Sequence, residues 1–180
     1  MDFADVRRII FDEIEEVLAR IDSERITALT QLLARSKAIF TTGEGRSGLV
    51  ARCFAMRLMH LGMTAHVVGG TTTPAFSERD LLVAISGSGA TDLTCTVARL
   101  AREAGGTVVA LTRDEGSALA GEADLTVFVP AKIGGTGSRQ YGQSLFEQCA
   151  LIALDAVALL LQEELGRTPD DMDVRHANLE

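Results

Sequence analysis

Tryptophan is absent from this sequence and tyrosine occurs once, so aromatic residues make up only 4% of its 180 positions. No run of lysine and arginine occurs. Seventeen basic residues face 25 acidic ones, a formal net charge of −8. That balance argues against nucleic acid or an anionic membrane surface as partner, while leaving room for a local site that takes a small anion. Cysteine is scarce: Cys53, Cys95 and Cys149 are odd in number, and their spacing suits neither a disulfide framework nor a zinc site. All three fall in apolar helical stretches, which predicts buried thiols in a reducing cytoplasm. The start, Met-Asp-Phe-Ala-Asp, has no basic segment followed by an apolar one, so no secretion signal is visible. The longest apolar run, Cys149 to Leu161, is interrupted by Asp155 and falls short of the ~20 residues a bilayer requires. No Cys/His/Asp grouping, with His60, His66 and His176 included, has ligand spacing, so no metal site is expected.

What is present is organised around Leu81 to Thr91. Five apolar residues in a row predict a strand buried on both faces, as in a parallel sheet. The run stops at Ser86, and Gly87, Ser88, Gly89, Ala90 and Thr91 follow before a helical pattern begins at Asp92. A strand, a Gly/Ser turn and a helix start point free backbone N–H groups and the positive helix end at one spot, which suits a phosphate. Gly87 and Gly89 allow close approach of backbone to ligand, and the three hydroxyls add donors. The plain alternative is a βα turn with a Ser or Thr N-cap. There is no lysine in the loop, so it is not a nucleotide P-loop.

The rest of the chain alternates helices and strands. Phe3, Val6, Ile10, Val17 and Ile21 define a first amphipathic helix, and Ser23 opens a second through Leu33. Lys37 to Thr42 reads as a strand, Leu49 to Leu61 as a nearly all-round apolar helix, and Ala65 to Val68 as a second strand. Between these, Gly43-Glu44-Gly45-Arg46-Ser47-Gly48 matches the dinucleotide fingerprint. The acid that fingerprint needs at the end of the next strand is missing, since Gly69-Gly70-Thr71-Thr72 stands there. Thr107 to Leu111 and Leu125 to Val129 are further strands, with a helical turn over Ser117 to Ala120 between them. Gly134 to Ser138 reads as a loop, either a linker or a lid. Tyr141 to Leu165 is a long helix, mostly apolar around its second half, which calls for a neighbouring subunit. Thr168-Pro169-Asp170 starts a last short helix. The expected fold is one α/β domain over 1–180: three layers, αβα, flavodoxin-like, with a five-stranded parallel sheet. N-terminal helices 3–35 and C-terminal helices 139–180 are expected to pack on it.

Ser86-Gly87-Ser88-Gly89-Ala90-Thr91 resembles the Ser-x-Ser-Gly-x-Thr loop of sugar isomerase (SIS) domains. Gly43 to Gly48, Phe54 to Gly62, Leu145-Phe146-Glu147-Gln148 and the terminal Arg175 to Glu180 together resemble the 6-phospho-3-hexuloisomerases among them. The resemblance implies a cofactor-free interconversion of D-arabino-hex-3-ulose 6-phosphate and D-fructose 6-phosphate in the ribulose monophosphate route of formaldehyde fixation. It also implies a cytoplasmic homotetramer. Other phosphosugar isomerases, acting on arabinose 5-phosphate or a heptose phosphate, and a non-catalytic phosphosugar sensor are the rival readings. Two departures stand out: Ala90 replaces the glutamate of many SIS domains, and the Gly134 to Gly137 stretch has no counterpart.

An enediolate isomerisation needs a phosphate cradle, a base and a polar group for the oxygens. Glu147 is the base candidate, opening the apolar part of the long helix; the resemblance places it where the family has its proton acceptor. Ser47 is either a helix N-cap or, as the resemblance implies, a phosphosugar contact. Arg46, Gln148, and the loop residues Ser86 to Thr91 complete the candidate binding set. His60 is either a core histidine or a second acid/base group. His176 is expected to reach a neighbouring subunit's site on the docked C-terminal tail, opposite Glu147.

Overall fold

A computed structural model describes residues 1–131 and 137–179. Of the Gly134 to Ser138 loop, only Gly137 and Ser138 fall within the described residues. The elements in order are α1 (Phe3–Leu18), α2 (Ser23–Arg35), β1 (Ile39–Gly43), α3 (Gly45–His60), β2 (Ala65–Val67), β3 (Leu81–Ile85), α4 (Asp92–Glu103), β4 (Thr107–Thr112), α5 (Ala118–Glu122), β5 (Leu125–Phe128), α6 (Ser144–Glu164) and α7 (Pro169–Asp173). The strands form one parallel sheet in the order β2-β1-β3-β4-β5. Fold class and strand number match the sequence expectation.

Alternation along the strands splits the core in two. Ile39, Leu81, Val83, Ile85, Val109 and Leu111 face α1, α2, α3 and α6. Phe40, Leu82, Ala84, Val108 and Ala110 face α4 and α5. Both faces of β3 are therefore covered, and the unbroken Leu-Leu-Val-Ala-Ile run is the direct result.

Several boundaries differ from the sequence expectation for local reasons. Helix α3 starts at Gly45, four residues before Leu49, because Gly45 at φ +57° turns the strand end straight into the helix. Ser47 is thus inside the first turn and does not cap it. The position before α2 belongs to Asp22 instead of Ser23, its carboxylate accepting from the Glu24 N–H at 2.8 Å. Strand β1 begins at Ile39, since Lys37 bonds the Arg79 carbonyl in the approach to the sheet. Cys53 is exposed, and only Cys149 is fully buried, its thiol pushed up to about 11 by desolvation.

At 21 residues, α6 is also long and apolar enough to cross a membrane by length and composition, contrary to the reading of its apolar run alone. In this fold it is a core helix: Leu145, Phe146, Cys149, Leu154, Val157 and Leu161 are buried against α1, α2 and α3. Ile152, Leu159 and Leu160 of α6 remain exposed, as do Met56 and Met59 of α3.

Candidate functional site

The strand order places the site. From β1 the chain passes through α3 to the outer strand β2; from β3 it passes through α4 to β4, the opposite way and on the opposite face. Gly43 and Ile85 are register partners, so the turns after β1 and β3 leave the sheet side by side and diverge. Crevices of this kind, at the carboxyl ends of strands where the order reverses, are where open α/β sheets bind ligands.

The turn after β3 is built from its own side chains. Ser86 Oγ lies 3.0 Å from Thr91 Oγ1 and accepts from the Gly89 N–H at 3.2 Å. Thr91 occupies the N-cap position of α4, yet its side chain makes no capping bond. The hydroxyl is held by Ser86 instead, so the plain N-cap reading fails at this residue. Ser88 is exposed, and its oxygen accepts from the Ala90 N–H at 3.3 Å, which leaves its own O–H to donate outward. Among the described residues, the Gly87 and Ser88 N–H groups have no backbone acceptor. Two N–H groups, a hydroxyl donor and the positive end of a 12-residue helix converge on one place.

The two glycines of this turn also answer to packing within the protein. A Cβ on Gly87 would meet Gln143 Oε1 at 2.6 Å and the Phe146 ring at 2.9 Å. A Cβ on Gly89, at φ +62°, would overlap the Ser117 side chain. Protein packing at their backs requires glycine at both positions. Gly48 is excluded from larger residues in the same way, by the Gly43 carbonyl.

Ser47, 8% exposed, sits in the first turn of α3 across the crevice. Next to it, the Arg46 guanidinium forms an ion pair with Glu147, joining positions 101 residues apart. Glu147 is 7% exposed, in the first turn of α6, while the Arg46 side chain is largely open to solvent. A carboxylate withdrawn from water and paired to one movable cation is held ready but occupied. Gln148 follows it, with its Oε1 buried and lacking a partner among the described residues. The structure thus brings Ser47, Arg46, Glu147 and the 86–91 loop to one crevice. A cavity of about 490 Å³ lies beside the crevice between the Gly43–Gly48 turn, the end of β2 and Leu93 and Val97 of α4.

His60 and His176 are elsewhere in the chain. The two rings stack at 5.3 Å between centroids, and His60 is 4% exposed at the far end of α3. Fourteen residues separate Arg46 from His60 along that helix, roughly 21 Å. Neither histidine reaches Glu147 of its own chain. The tail packs on its own α3 end, with the Arg175 guanidinium over Gly62.

Crevice, hydroxyl turn and helix-borne carboxylate on a β2-β1-β3-β4-β5 sheet define a class. A family profile for the SIS domain matches residues 32–146, and the chain belongs to that family of sugar isomerase domains. Within it, the chain is 42% identical over 176 residues to the 3-hexulose-6-phosphate isomerase of Mycobacterium gastri, covering 96% of this chain and 88% of the relative. It is equally 42% identical to the enzyme of that name from Bacillus subtilis, with 95% of each chain covered. A crystal structure from Methanococcus jannaschii, for which a 3-hexulose-6-phosphate isomerase function was inferred, superposes with a TM-score of 0.87 at 35% identity, covering 98% of this chain and 99% of that one.

Proposed function

We propose that this protein is a 6-phospho-3-hexuloisomerase, interconverting D-arabino-hex-3-ulose 6-phosphate and D-fructose 6-phosphate. The observation that carries this reading is the buried Glu147 beside the Ser86–Thr91 turn, in a chain so similar to enzymes of that name. The phosphate docks on the Gly87 and Ser88 N–H groups and the Ser88 hydroxyl, with Ser47 opposite. Glu147 takes the proton from C2 of the hexulose, the C2–C3 enediolate forms, and the proton returns to C3 while the hydroxyl proton passes from O2 to O3. Arg46, released from Glu147 by the arriving anion, turns its charge to the enediolate oxygens. Carbon chemistry of this kind requires only proton transfers, and the reading includes no cofactor.

The reading extends to a cytoplasmic homotetramer in the ribulose monophosphate route. Apolar side chains left open on α3 and α6 support self-association. The distance of His176 from its own Glu147 supports a site completed by a neighbour's His176.

A coupled assay tests the activity: hexulose 6-phosphate supplied, fructose 6-phosphate detected, arabinose 5-phosphate and sedoheptulose 7-phosphate as controls. Turnover confined to the hexulose is expected; preference for either control would overturn the assignment. Glu147→Gln should lower kcat by about 10²- to 10⁴-fold with KM little changed, because the residue keeps its shape and loses its basic site. Solvent exchange at C2 should fall with it. Normal exchange in that variant would move the base elsewhere.

A further inference from the structure

Glu13 is an acid at the edge of the apolar stripe of α1, one turn from both Ile10 and Val17. It is half-buried, while Asp12, Glu15 and Glu16 around it are exposed. Its carboxylate takes hold of three consecutive residues more than 120 positions further along the chain. Oε2 accepts from Ser138 Oγ at 2.7 Å and from Gln140 Nε2 at 3.0 Å, and Oε1 accepts from the Arg139 N–H at 2.7 Å. Ser138 Oγ in turn accepts from the Gln140 N–H at 2.9 Å. Burial raises the Glu13 pKa, but these three bonds and the Arg139 charge outweigh it and leave the carboxyl below the usual carboxylate range. The group is therefore ionised at neutral pH, and its bonds are charge-assisted.

The three residues it holds are the approach to α6. Gly142 turns at φ +65°, the Ser144 N–H bonds the Tyr141 carbonyl at 3.3 Å, and the helix opens at Ser144. Among the described residues, none from 137 to 144 is buried, so the core does not hold this approach in place. Besides the Glu13 bonds, its hydrogen bond to a distant part of the chain among the described residues is a weak one, Arg139 Nη2 to Met1 Sδ at 3.7 Å. What the approach carries is the back of the phosphate turn. A Cβ on Gly87 would meet Gln143 Oε1 at 2.6 Å, so that carboxamide packs directly on the turn after β3, next to the Phe146 ring. One residue beyond Phe146 stands Glu147, paired with Arg46. The chain of contact thus runs from Glu13 through residues 138–140 and Gln143 to the Gly87 peptide, whose N–H faces the ligand.

We propose that Glu13 is a positioning residue for the phosphosugar site: by fixing residues 138–140 it sets where Gln143 meets the Gly87 turn, and so how tightly that turn grips a phosphate. It touches no substrate itself. The inference rests on the isomerase reading for the identity of the ligand, and not for the path from Glu13 to Gly87.

Glu13→Gln tests it, because the carboxamide keeps the size and leaves one acceptor oxygen for three donors. KM for hexulose 6-phosphate should rise about tenfold, the scale of one bond to a charged group, with kcat little changed. That split is the reverse of the one expected for Glu147→Gln. Glu16→Gln, on the exposed side of α1, should change neither constant. Exchanging the partners, Glu13→Gln with Gln140→Glu, re-forms a carboxamide–carboxylate contact and should recover part of the affinity. Ser138→Ala removes one of the three bonds from the other side; it should shift KM the same way by less, and serves if Glu13→Gln does not fold. A readout free of turnover accompanies these: the Gly87 and Gly89 amide signals in NMR should move in Glu13→Gln, although Glu13 makes no hydrogen bond to that turn. Unmoved signals would overturn the role, as would a fall in kcat alone at unchanged KM, the mark of a smaller folded fraction. A wild-type protein that fails the isomerase assay while those signals still follow Glu13 would keep the positioning role and lose the activity.

Discussion

Ser88 is the exposed hydroxyl of the turn after β3, while Ser86 is buried and tied to Thr91. Removing the first should cost binding, and removing the second should cost the shape of the turn. Ser88→Ala is expected to weaken fructose 6-phosphate binding by about 1 to 2 kcal/mol, the scale of a hydrogen bond to a charged group, with thermal stability kept. Isothermal titration measures it; unchanged affinity would remove Ser88 from the cradle. The stacked histidines give a second residue-scale expectation. Burial first, then the charges of His176 and Arg57, depress the His60 pKa, and Asp173 opposes them only in part. A histidine depressed in the folded state stabilises fully above its unfolded value near 6.5, and that contribution is lost as pH falls through the folded value. The tail should therefore loosen on acidification below 6.5. In His176→Ala, the NMR titration of His60 should move back up toward 6.5; a midpoint that stays put would mean the stack does not set it.

Gly89 shows how an element's geometry rests on one position. Its backbone is left-handed, and the Ser117 side chain, which caps α5 through the Ala120 N–H at 3.3 Å, fills the space behind it. Gly89→Ala should cost about 2 to 4 kcal/mol in urea unfolding, combining left-handed strain with overpacking. In a Ser117→Gly background the larger part of the overpacking should go, leaving the left-handed strain and the contact with Thr112 Oγ1, together about 1 to 2 kcal/mol. A full loss in both backgrounds would assign everything to the backbone. The elements themselves were legible from the sequence because their signals are local: five apolar residues for β3, a 3.6-residue stripe for α1, Gly105-Gly106 after α4. What failed was the point of entry. Asp22 and Ser23 are equally good caps on paper, and only the backbone decides between them. Gly45 reads as part of a fingerprint until its φ shows that it begins the helix.

At the scale of the whole molecule, the two halves of the candidate site were readable as motifs but their pairing was not. Arg46 and Glu147 are joined by a fold, not by a spacing. The histidines were found as residues, but their stacking on each other at the far end of α3 was not legible, because distance along α3 is visible only once α3 has a beginning and an end. That distance yields a prediction about assembly. Inactive Glu147→Gln chains mixed with inactive His176→Ala chains should recover part of the activity, one site in the mixed oligomer having both groups intact. Inactivity of verified mixed oligomers would confine both residues to their own chain. The sheet carries one more consequence. Its inner strands β1, β3 and β4 have five or six residues, but its outer strands, β2 and β5, have three and four. A foreign strand arriving at either border finds few amides to grip, so the native protein resists fibre growth at its borders. The hazard is held inside: Leu81–Ile85 and Thr107–Thr112 side by side are a sticky pair that only global unfolding sets loose, and heat should turn this protein cloudy at its melting point and not before.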